Sequence, residues 1–436
     1  MLGRSVKAPF ARSIVNYTSD TARSCATHEN RYSISDLDSA KVIFGLGTSF
    51  SKSSWYSTSA NPGQTTLFSE QSLTRRTRTQ AVPSDRLSEL SALNQAVDMR
   101  HWFQCCAFDV IGMTTYGKRL GFLDRGEDVG NVISALDDLL GYASVVGIFP
   151  GLHRILFSLK NLMAGVKGAG RAYVVAFTQE RIREVQANPK TMPLEDDEVK
   201  TQHFSKFQAK HSTSPSTFTS FHVLAGCVSN MVAGSDTTAI SLSAVMYYLL
   251  KNPACMAKLR EEVDLFTAQG QLSNHPTYKE TQQLPYLQVV IKEALRLHPA
   301  TGLPLERVVP KGGATITGHF FPEGTIVGIN TWVAHHDCHT FGPNADEFMP
   351  ERWLQNDTDQ VALMNRFWMP FGLGSRTCIG RHISMLEMCK LIPSLVRDFD
   401  FTLHESLLRK DWHTQNYWFV KPLDFQVRLR RREFAS

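Results

Sequence analysis

The stretch Phe371-Gly372-Leu373-Gly374-Ser375-Arg376-Thr377-Cys378-Ile379-Gly380 follows Pro370 and leads into a helical pattern. Three glycines and a proline suit a tight, rigid loop that brings backbone close to something flat, and they would be a strange way to build a core strand. A thiolate of Cys378 gains from the backbone N–H groups of the following helix, which also temper its electron donation to a bound metal. Arg376 supplies a fixed positive charge for a nearby carboxylate. The alternative is structural, because a lone cysteine among glycines is most often a buried small residue.

A second unusual stretch lies in the longest apolar-periodic segment, residues 218–251, which is long enough to cross a whole domain as one buried helix. Its middle reads Ala233-Gly234-Ser235-Asp236-Thr237-Thr238. A glycine, an acid and two β-branched alcohols are poor choices for the centre of a buried helix. One explanation is a kinked helix whose threonines bond back to its own carbonyls. The other is that these polar residues serve chemistry at a buried site.

Several motifs together resemble a known family. The pattern Phe-x-x-Gly-x-Arg-x-Cys-x-Gly resembles the haem-binding loop of the cytochrome P-450 family. Ala-Gly-Ser-Asp-Thr-Thr, Glu-x-x-Arg (293–296) and Pro-Glu-Arg-Trp (350–353) occur in that family's order and roughly its spacing. The resemblance covers about residues 30–430 and is strongest after residue 216, and residues 103–124 look most like fungal members of secondary-metabolite pathways. It implies a mainly α fold with a small β part, in a single large domain around a buried haem.

The resemblance assigns roles to the residues of the cysteine loop. Cys378 is implied to be the axial thiolate ligand of the haem iron, and therefore the metal ligand. Phe371 is implied to pack beside the sulfur, and Arg376 to pair with a haem propionate. Gly372 and Gly380 complete the cofactor-binding positions of the loop.

The same resemblance points to further cations for the haem propionates. Arg307 matches a second propionate-pairing arginine of the family. Arg76 or Arg78, at the end of a polar loop, could supply a third positive charge, although a charge run is more commonly a solvated face. The chain looks shortened near residue 80, where the family normally places more helix. Residues 300–305 are implied to line the substrate pocket.

The middle of the long helix resembles the oxygen-binding groove of the family. Small Ala233 and Gly234 are implied to leave space above the haem. Asp236 and Thr237 are implied to be the catalytic pair that relays protons to bound dioxygen. Splitting the oxygen–oxygen bond needs protons delivered without flooding the site with water, and an acid beside an alcohol can do this.

Residues 284–297 predict an amphipathic helix that starts with Pro285 in its first turn. Glu293 and Arg296 lie at i and i+3 on one face, which by itself indicates only a modest surface pair. By resemblance, Arg352 completes a structural clasp with these two residues beneath the haem-binding loop.

The implied function is that of a haem-thiolate monooxygenase, which inserts one oxygen atom of dioxygen into an apolar organic substrate in fungal secondary-metabolite biosynthesis. Its partners would be the small-molecule substrate and NADPH–cytochrome P-450 reductase, which passes on electrons from NADPH. One alternative is a haem-thiolate isomerase or dehydratase that needs no reductase, against which the Asp236-Thr237 pair argues. The other is a degenerate, non-enzymatic member, favoured by the missing anchor and by the short segment after Arg78.

Composition limits the other classes of function. The chain has 436 residues and a net charge of +5, without a cluster of basic residues and interleaved aromatics, so nucleic-acid binding has little support. Residues 1–30 predict an irregular segment without a membrane anchor, and residues 31–436 the haem domain. The family's members lie at the endoplasmic reticulum surface, which implies an intracellular protein with a peripheral membrane contact.

The cysteines and histidines outside the loop do not indicate a further metal site. The eight cysteines include no Cys-x-x-Cys and no Cys/His spacing for a structural zinc, which favours a reducing, intracellular compartment. His335, His336 and His339 invite a metal site, but no catalytic metal scheme uses their spacing. We therefore expect these histidines to be solvated or packed.

The remaining patterns predict structural elements. Residues 32–44 predict a strand feeding a short helix, with Asp36 as its N-cap. The other expectations are a helical segment over 101–112, lid helices over 132–185 with loops near 141–150 and 165–170, a surface linker over 188–215, a hairpin over 315–330 turning at 321–324, and closing strands over 399–431.

Overall fold

Ser220–Lys251 forms one uninterrupted helix of 32 residues, and the other elements pack around it. The computed structural model describes residues 24–28, 30–59, 84–92, 95–164, 170–187, 202–408 and 411–433. Within these ranges helices predominate and small sheets lie beside them, which confirms the predicted mainly α fold with a small β part.

The helices of the described residues are numbered in chain order. They are α1 (Ser39–Phe44), α2 (Ser84–Ala92), α3 (Met99–Tyr116), α4 (Phe122–Arg125), α5 (Val132–Val146), α6 (His153–Ala164), α7 (Arg171–Ala187), α8 (His203–Thr213), α9 (Ser220–Lys251), α10 (Pro253–Ala268), α11 (Tyr278–Thr281), α12 (Pro285–Leu297), α13 (Thr331–Ala334), α14 (Cys338–Phe341), α15 (Thr358–Phe367), α16 (Arg381–Asp398) and α17 (Glu405–Leu408).

The strands form small sheets. They are β1 (Ser24–His28), β2 (Arg31–Ile34), β3 (Ser51–Lys52), β4 (Val97–Asp98), β5 (Arg307–Val308), β6 (Ala314–Ile316), β7 (His319–Phe321), β8 (Ile326–Gly328), β9 (Phe399–Leu403), β10 (Thr414–Tyr417), β11 (Phe419–Pro422) and β12 (Gln426–Arg431). The strand orders are β1-β2-β8-β5-β3, β4-β12-β9, β10-β11 and β6-β7.

Small residues let the central helix α9 approach its neighbours closely. A Cβ on Gly234 would lie 2.2 Å from Cδ1 of Ile111 in α3. A Cβ on Gly226 would lie 2.6 Å from the ring of Phe207 in α8. These two glycines of α9 are therefore places of helix–helix contact, where a larger residue would force the helices apart.

The chain leaves helix α3 through a turn held by one buried carboxylate. Gly117 ends the helix with φ of 74°, in the left-handed region that glycine adopts without strain. Beyond it, Asp109 accepts backbone N–H bonds from Leu120 at 2.8 Å, Gly121 at 2.7 Å and Leu123 at 3.0 Å. A fully buried acid thus satisfies the first N–H groups of α4, which fixes the path between the two helices.

One local prediction is corrected and two are confirmed. Asp36 accepts bonds from the backbone N–H and hydroxyl of Ser39, but the N-cap of α1 is Asp38, because the helix begins two residues later than predicted. The helix predicted over 284–297 is α12, with Pro285 at its first position. The closing strands over 399–431 are β9 to β12.

Two predictions about the middle of the chain are wrong. The polar stretch expected to be a surface linker contains α8, because Phe204 and Phe207 bury one side of that helix. Helix α5 continues through Gly141, where a loop was predicted, and ends only at Val146. Both errors arise because packing against neighbouring helices outweighs local composition.

Two further expectations are corrected in the β part. The hairpin β6–β7 turns at Thr317 and Gly318, which have φ of 53° and 78°, and not at residues 321–324. The later turn leads into β8, which pairs parallel with β2 and antiparallel with β5 in another sheet. Within the segment predicted to be irregular, Ser24–His28 forms strand β1 antiparallel to β2.

One described segment has the length and hydropathy to cross a membrane. It is Val129–Val146, which includes α5, and 44% of this window is buried inside the protein.

Candidate active site

The cysteine loop is a tight turn shaped by its glycines. Gly372 and Gly374 have φ of 70° and 67°, a conformation that glycine adopts without steric cost. Gly374 also lies against the end of α1, where a Cβ would overlap the carbonyl oxygen of Phe44. The backbone N–H of Cys378 donates to the carbonyl of Phe371 at 2.8 Å, which closes the turn. The loop geometry therefore agrees with the predicted rigid approach of backbone to a partner.

Cys378 is exposed to solvent, although the protein packs closely around its sulfur. This enclosure raises the pKa of the Cys378 thiol, whereas the backbone N–H groups of Gly380 and Arg381 lower it. Those N–H groups belong to the start of α16, as the sequence predicts. A Cβ on Gly380 would make only an ordinary contact, 3.8 Å from the sulfur. Cys378 is thus an exposed residue whose sulfur lies beside the backbone N–H groups that begin α16.

Three cations lie close together near this loop. Arg307 on β5 faces Lys52 on β3 across the strand pair. The guanidinium of Arg307 is buried, donates to the carbonyl of Glu306 at 2.8 Å and lies 5.0 Å from the ring centre of Phe44. Burial, and then the charges of Arg307 and Arg376, lower the pKa of Lys52 to about 8. Cations gathered in this way can pair with a group that carries two carboxylates.

Lys52 is a functional candidate that no sequence pattern reveals. It stands in a Ser-rich stretch without a motif, and only the pairing of β3 with β5 brings it to Arg307. Arg76 and Arg78, the predicted additional cations, lie outside the described residues.

Asp236 and Thr237 have very different surroundings in α9. Asp236 is fully buried, and its Oδ1 accepts from Nε2 of Gln104 at 2.6 Å. Its Oδ2 lies 2.7 Å from Nζ of Lys421, and burial raises the pKa of Asp236 even with this ammonium beside it. Thr237 is half-buried and its hydroxyl donates to the carbonyl of Ala233 at 2.6 Å. The back-bonded threonine and the buried acid are therefore present together.

The free space expected above the haem depends on only one of the two predicted small residues. Gly234 points toward Ile111 of α3 and serves the helix contact described above. Ala233 and Thr237 are half-buried and lie one turn apart, so they share a side of the helix. Any open groove in α9 is accordingly on the side of these two residues.

The structure brings the three clasp residues together in the core. The carboxylate of Glu293 accepts hydrogen bonds from Nε of Arg296 at 2.9 Å and from Nε of Arg352 at 2.8 Å. Trp353 donates its indole N–H to the same carboxylate at 2.9 Å, and Met349 donates its backbone N–H at 3.1 Å. The modest surface pair that spacing alone indicates is in fact a fully buried carboxylate with complete partners, the condition under which a buried ion pair is stable.

His335 connects this clasp to the cysteine loop. Its Nε2 accepts the backbone N–H of Met369 at 2.9 Å, so its Nδ1 carries the proton and donates to the carbonyl of Arg296 at 2.9 Å. Burial, and then the Arg296 charge, lower the pKa of His335 to about 3, so the ring is neutral. Across the described ranges no group of three or more His, Cys, Asp or Glu side chains could hold a metal ion.

These side chains fit a haem. The exposed thiol with N–H donors behind it matches an iron ligand, and the clustered cations match two propionates. Ala233 and Thr237 of α9 offer small and hydroxyl-bearing side chains in the same region of sequence that the resemblance places above the ring.

Comparisons with known proteins show which family this chain is similar to. The family model described as Cytochrome P450 matches residues 64–427. Pisatin demethylase of Fusarium vanettenii is 35% identical over 430 residues, which cover 92% of this chain and 80% of that protein. A cytochrome P450 monooxygenase of Aspergillus terreus is 41% identical over 305 residues, 70% of this chain and 62% of that protein.

One solved structure of a cytochrome P450 has a fold similar to that of this chain. The cytochrome P450 CYP102L1 superposes with a TM-score of 0.63 at 23% identity, covering 80% of this chain and 72% of that chain. The family model covers most of the chain and the relatives are named as a demethylase and a monooxygenase, so the chain belongs to the cytochrome P450 family, whose monooxygenases are oxidoreductases.

Proposed function

We propose that the chain is a haem-thiolate monooxygenase that inserts one oxygen atom of dioxygen into an apolar organic substrate, as a step of fungal secondary-metabolite biosynthesis. The observation that carries the proposal is an exposed Cys378 in a tight loop beside a cluster of cations. The relatives named as a pisatin demethylase and as monooxygenases of fungi support the reaction class.

Five residues would hold the haem. Cys378 would bind the iron, and Phe371 would support the turn through its carbonyl and by packing its ring against Trp368, 6.0 Å away between centroids. Arg307 and Arg376 would pair with the propionates, and we add Lys52 to this set. When bound, the haem supplies the activation of dioxygen.

Protons would reach the site through α9. Asp236 is enclosed, so bulk water has no direct access to its carboxylate. Thr237 can rotate its hydroxyl from the Ala233 carbonyl toward the open side of the helix and present a proton there. An enclosed acid followed by a movable hydroxyl suits delivery of single protons.

Buried apolar side chains near Asp236 support the proposal that the substrate is apolar. They come from separate parts of the chain and form one cluster: Trp55, Tyr56, Leu140, Ile240, Ala300, Trp418 and Phe419. Leu303 packs against this cluster, so the predicted pocket segment 300–305 contributes two residues on or near it. The cluster adjoins α5, α9 and the hairpin β10–β11, which are the elements around Asp236.

The redox and membrane contacts are part of the same proposal. Electrons would come from NADPH through NADPH–cytochrome P-450 reductase, at the endoplasmic reticulum surface. Helix α6 supports a peripheral membrane contact, because it exposes Ile155, Leu159, Leu162 and Met163. A helix that leaves such side chains in water can bury them in a lipid interface.

Labelled dioxygen tests the reaction class. The purified, haem-loaded chain is supplied with reductase, NADPH and candidate apolar substrates under isotopically labelled dioxygen. A monooxygenase places one labelled atom in the product. A product formed without label and without NADPH would instead indicate the isomerase or dehydratase, and an iron that never gives a thiolate-type spectrum would indicate the degenerate protein.

A further inference from the structure

One ammonium group contacts carboxylates from two different helices. Lys421 lies on β11, opposite Gln415 in the hairpin β10–β11. Its Nζ is 2.7 Å from Oδ2 of Asp236 in α9, and it also forms an ion pair with Oδ1 of Asp137 in α5. The hairpin, the long helix and α5 therefore meet at a single positive charge.

The two ion pairs differ in their exposure to water. The Asp236 side chain is 0% exposed, that of Lys421 17% and that of Asp137 52%. Burial acts to lower the pKa of Lys421, but attraction to Asp236 and then Asp137 outweighs it and raises the pKa. The inner pair is enclosed and the outer pair is screened by solvent, so the outer contact is the one that opens more readily.

Among the described residues, few charged groups act on Asp236. Lys421 from the hairpin and Asp137 from α5 act on it electrostatically, and the neutral amide of Gln104 reaches it from α3. Removing the ammonium would leave an enclosed carboxylate beside an acid of the same sign. Asp236 would then hold its proton to higher pH.

Helix α5 has a second ion pair that does not reach Asp236. Asp138, the next residue along, pairs through Oδ1 with Nζ of Lys160 on α6 at 2.5 Å. The two adjacent acids of α5 thus pair with different elements: Asp138 with α6, and Asp137 with Lys421 on β11. This difference gives a matched control, since either pair can be removed separately.

We propose that Lys421 is a positioning residue that ties helix α5 to Asp236, so that the packing of α5 and the placement of the acid depend on each other. The part that concerns proton delivery rests on the proposed monooxygenase function. The tie itself does not, because it is a coupling between two elements of the folded chain. Such coupling is reciprocal: what loosens α5 disturbs Asp236, and what removes the Asp236 charge loosens α5.

Amide hydrogen exchange of the haem-loaded full chain tests the tie without turnover. Lys421→Gln and Asp236→Asn should each raise the exchange rates of the α5 amides roughly three- to tenfold, as expected for loss of a partly buried ion pair. Lys421→Arg should restore exchange close to that of the parent. Unchanged exchange of α5 in Asp236→Asn would overturn the proposal, whatever the enzyme's activity.

Uncoupling supplies the second measurement. With reductase and substrate, the share of NADPH electrons that ends in peroxide is followed against pH for Asp137→Asn and Lys160→Gln. Asp137→Asn should shift this pH profile, because Asp137 shares Lys421 with Asp236 and also acts on Asp236 electrostatically. Lys160→Gln should leave the profile unshifted even where it speeds exchange of α5. Equal shifts in both variants, or none in Asp137→Asn, would overturn the link to Asp236, whereas a lack of turnover in the parent would count against the proposed function alone.

Discussion

Lys52 and Arg307 face each other across the β3–β5 strand pair, two cations in one cross-strand position. Like charges placed opposite in a sheet are destabilising, and here the nearby charge of Arg376 adds to the repulsion. A bound group that carries carboxylates would offset this repulsion. In this family that group would be the haem with its propionates.

The pH dependence of stability tests this explanation. Because the pKa of Lys52 is lowered from 10.5 to about 8, the unfolded chain binds more protons than the folded chain between these values. The free energy of unfolding of the haem-free protein should therefore rise with pH in that window, by up to about 3 kcal/mol. Lys52→Met should abolish the rise, as measured by denaturant unfolding at several pH values.

Haem supplies the control for that experiment. Propionates beside Lys52 favour its charged form, so the rise between about pH 8 and 10 should shrink in the haem-loaded protein. A rise of equal size with and without haem would show that Lys52 does not face the propionates.

Haem retention should be sensitive to Arg307→Ala. The Arg307 guanidinium is 5% exposed, and removing the partner of a buried carboxylate costs on the order of 3–5 kcal/mol. The measurement is haem occupancy of the purified variant beside that of the parent. Arg428→Ala is the matched control, because that arginine is exposed on β12. Parental occupancy in Arg307→Ala would show that other residues or solvent neutralise the propionates.

Thr237→Ala should leave haem binding intact while electrons leak into peroxide. The hydroxyl bonds to Ala233 within its own helix, so its loss removes little from the fold. Ser243→Ala is the control, since Ser243 makes the same kind of bond to Ala239 at 2.8 Å deep in the core. Coupling of NADPH use to product is the readout, and unchanged coupling in Thr237→Ala would count against a role in proton delivery.

Glu387 of α16 predicts a second pH effect. Both of its carboxylate oxygens are buried without a hydrogen-bond partner among the residues that the structure describes. Burial raises the pKa of Glu387 well above 4.5, so the unfolded chain releases this proton first and stability falls as pH rises above that value. The loss should reach about 1.4 kcal/mol per pH unit until the folded group also ionises.

A neutral isostere removes this loss. Glu387→Gln should raise the melting temperature near pH 8 by a few degrees and change it little near pH 5, where the parent carboxyl is neutral. An equal change at both values, or a fall in melting temperature at each, would show that the ionisation of Glu387 is not the cause.

The sequence predicts those parts of the site that local patterns encode. The Cys378 loop, the Asp236-Thr237 pair and the helix of Glu293 are each encoded by a short run of consecutive residues. Glycine, proline and capping residues in or near these runs indicate the backbone conformation. Local sequence is therefore sufficient to identify these features.

The sequence does not predict partners that come from distant parts of the chain. Lys52 reaches Arg307 only through strand pairing, and Lys421 reaches Asp236 only because a hairpin packs on the long helix. Helix α8 is not predicted for the same reason. Its two phenylalanines are buried only because other parts of the fold pack against them. Such long-range contacts depend on packing, which composition does not reveal.

The proposed function depends above all on binding of the haem iron by Cys378. The most direct measurement is the carbon-monoxide difference spectrum of the reduced protein, recorded for the parent and for Cys378→His at equal haem content. Cys338→Ser is the control, because that thiol is also exposed but lies on α14. If Cys378 binds the iron, the parent and the control should show a thiolate-type band, and Cys378→His should lose it. A thiolate-type band that persists in Cys378→His would contradict the binding of iron by Cys378.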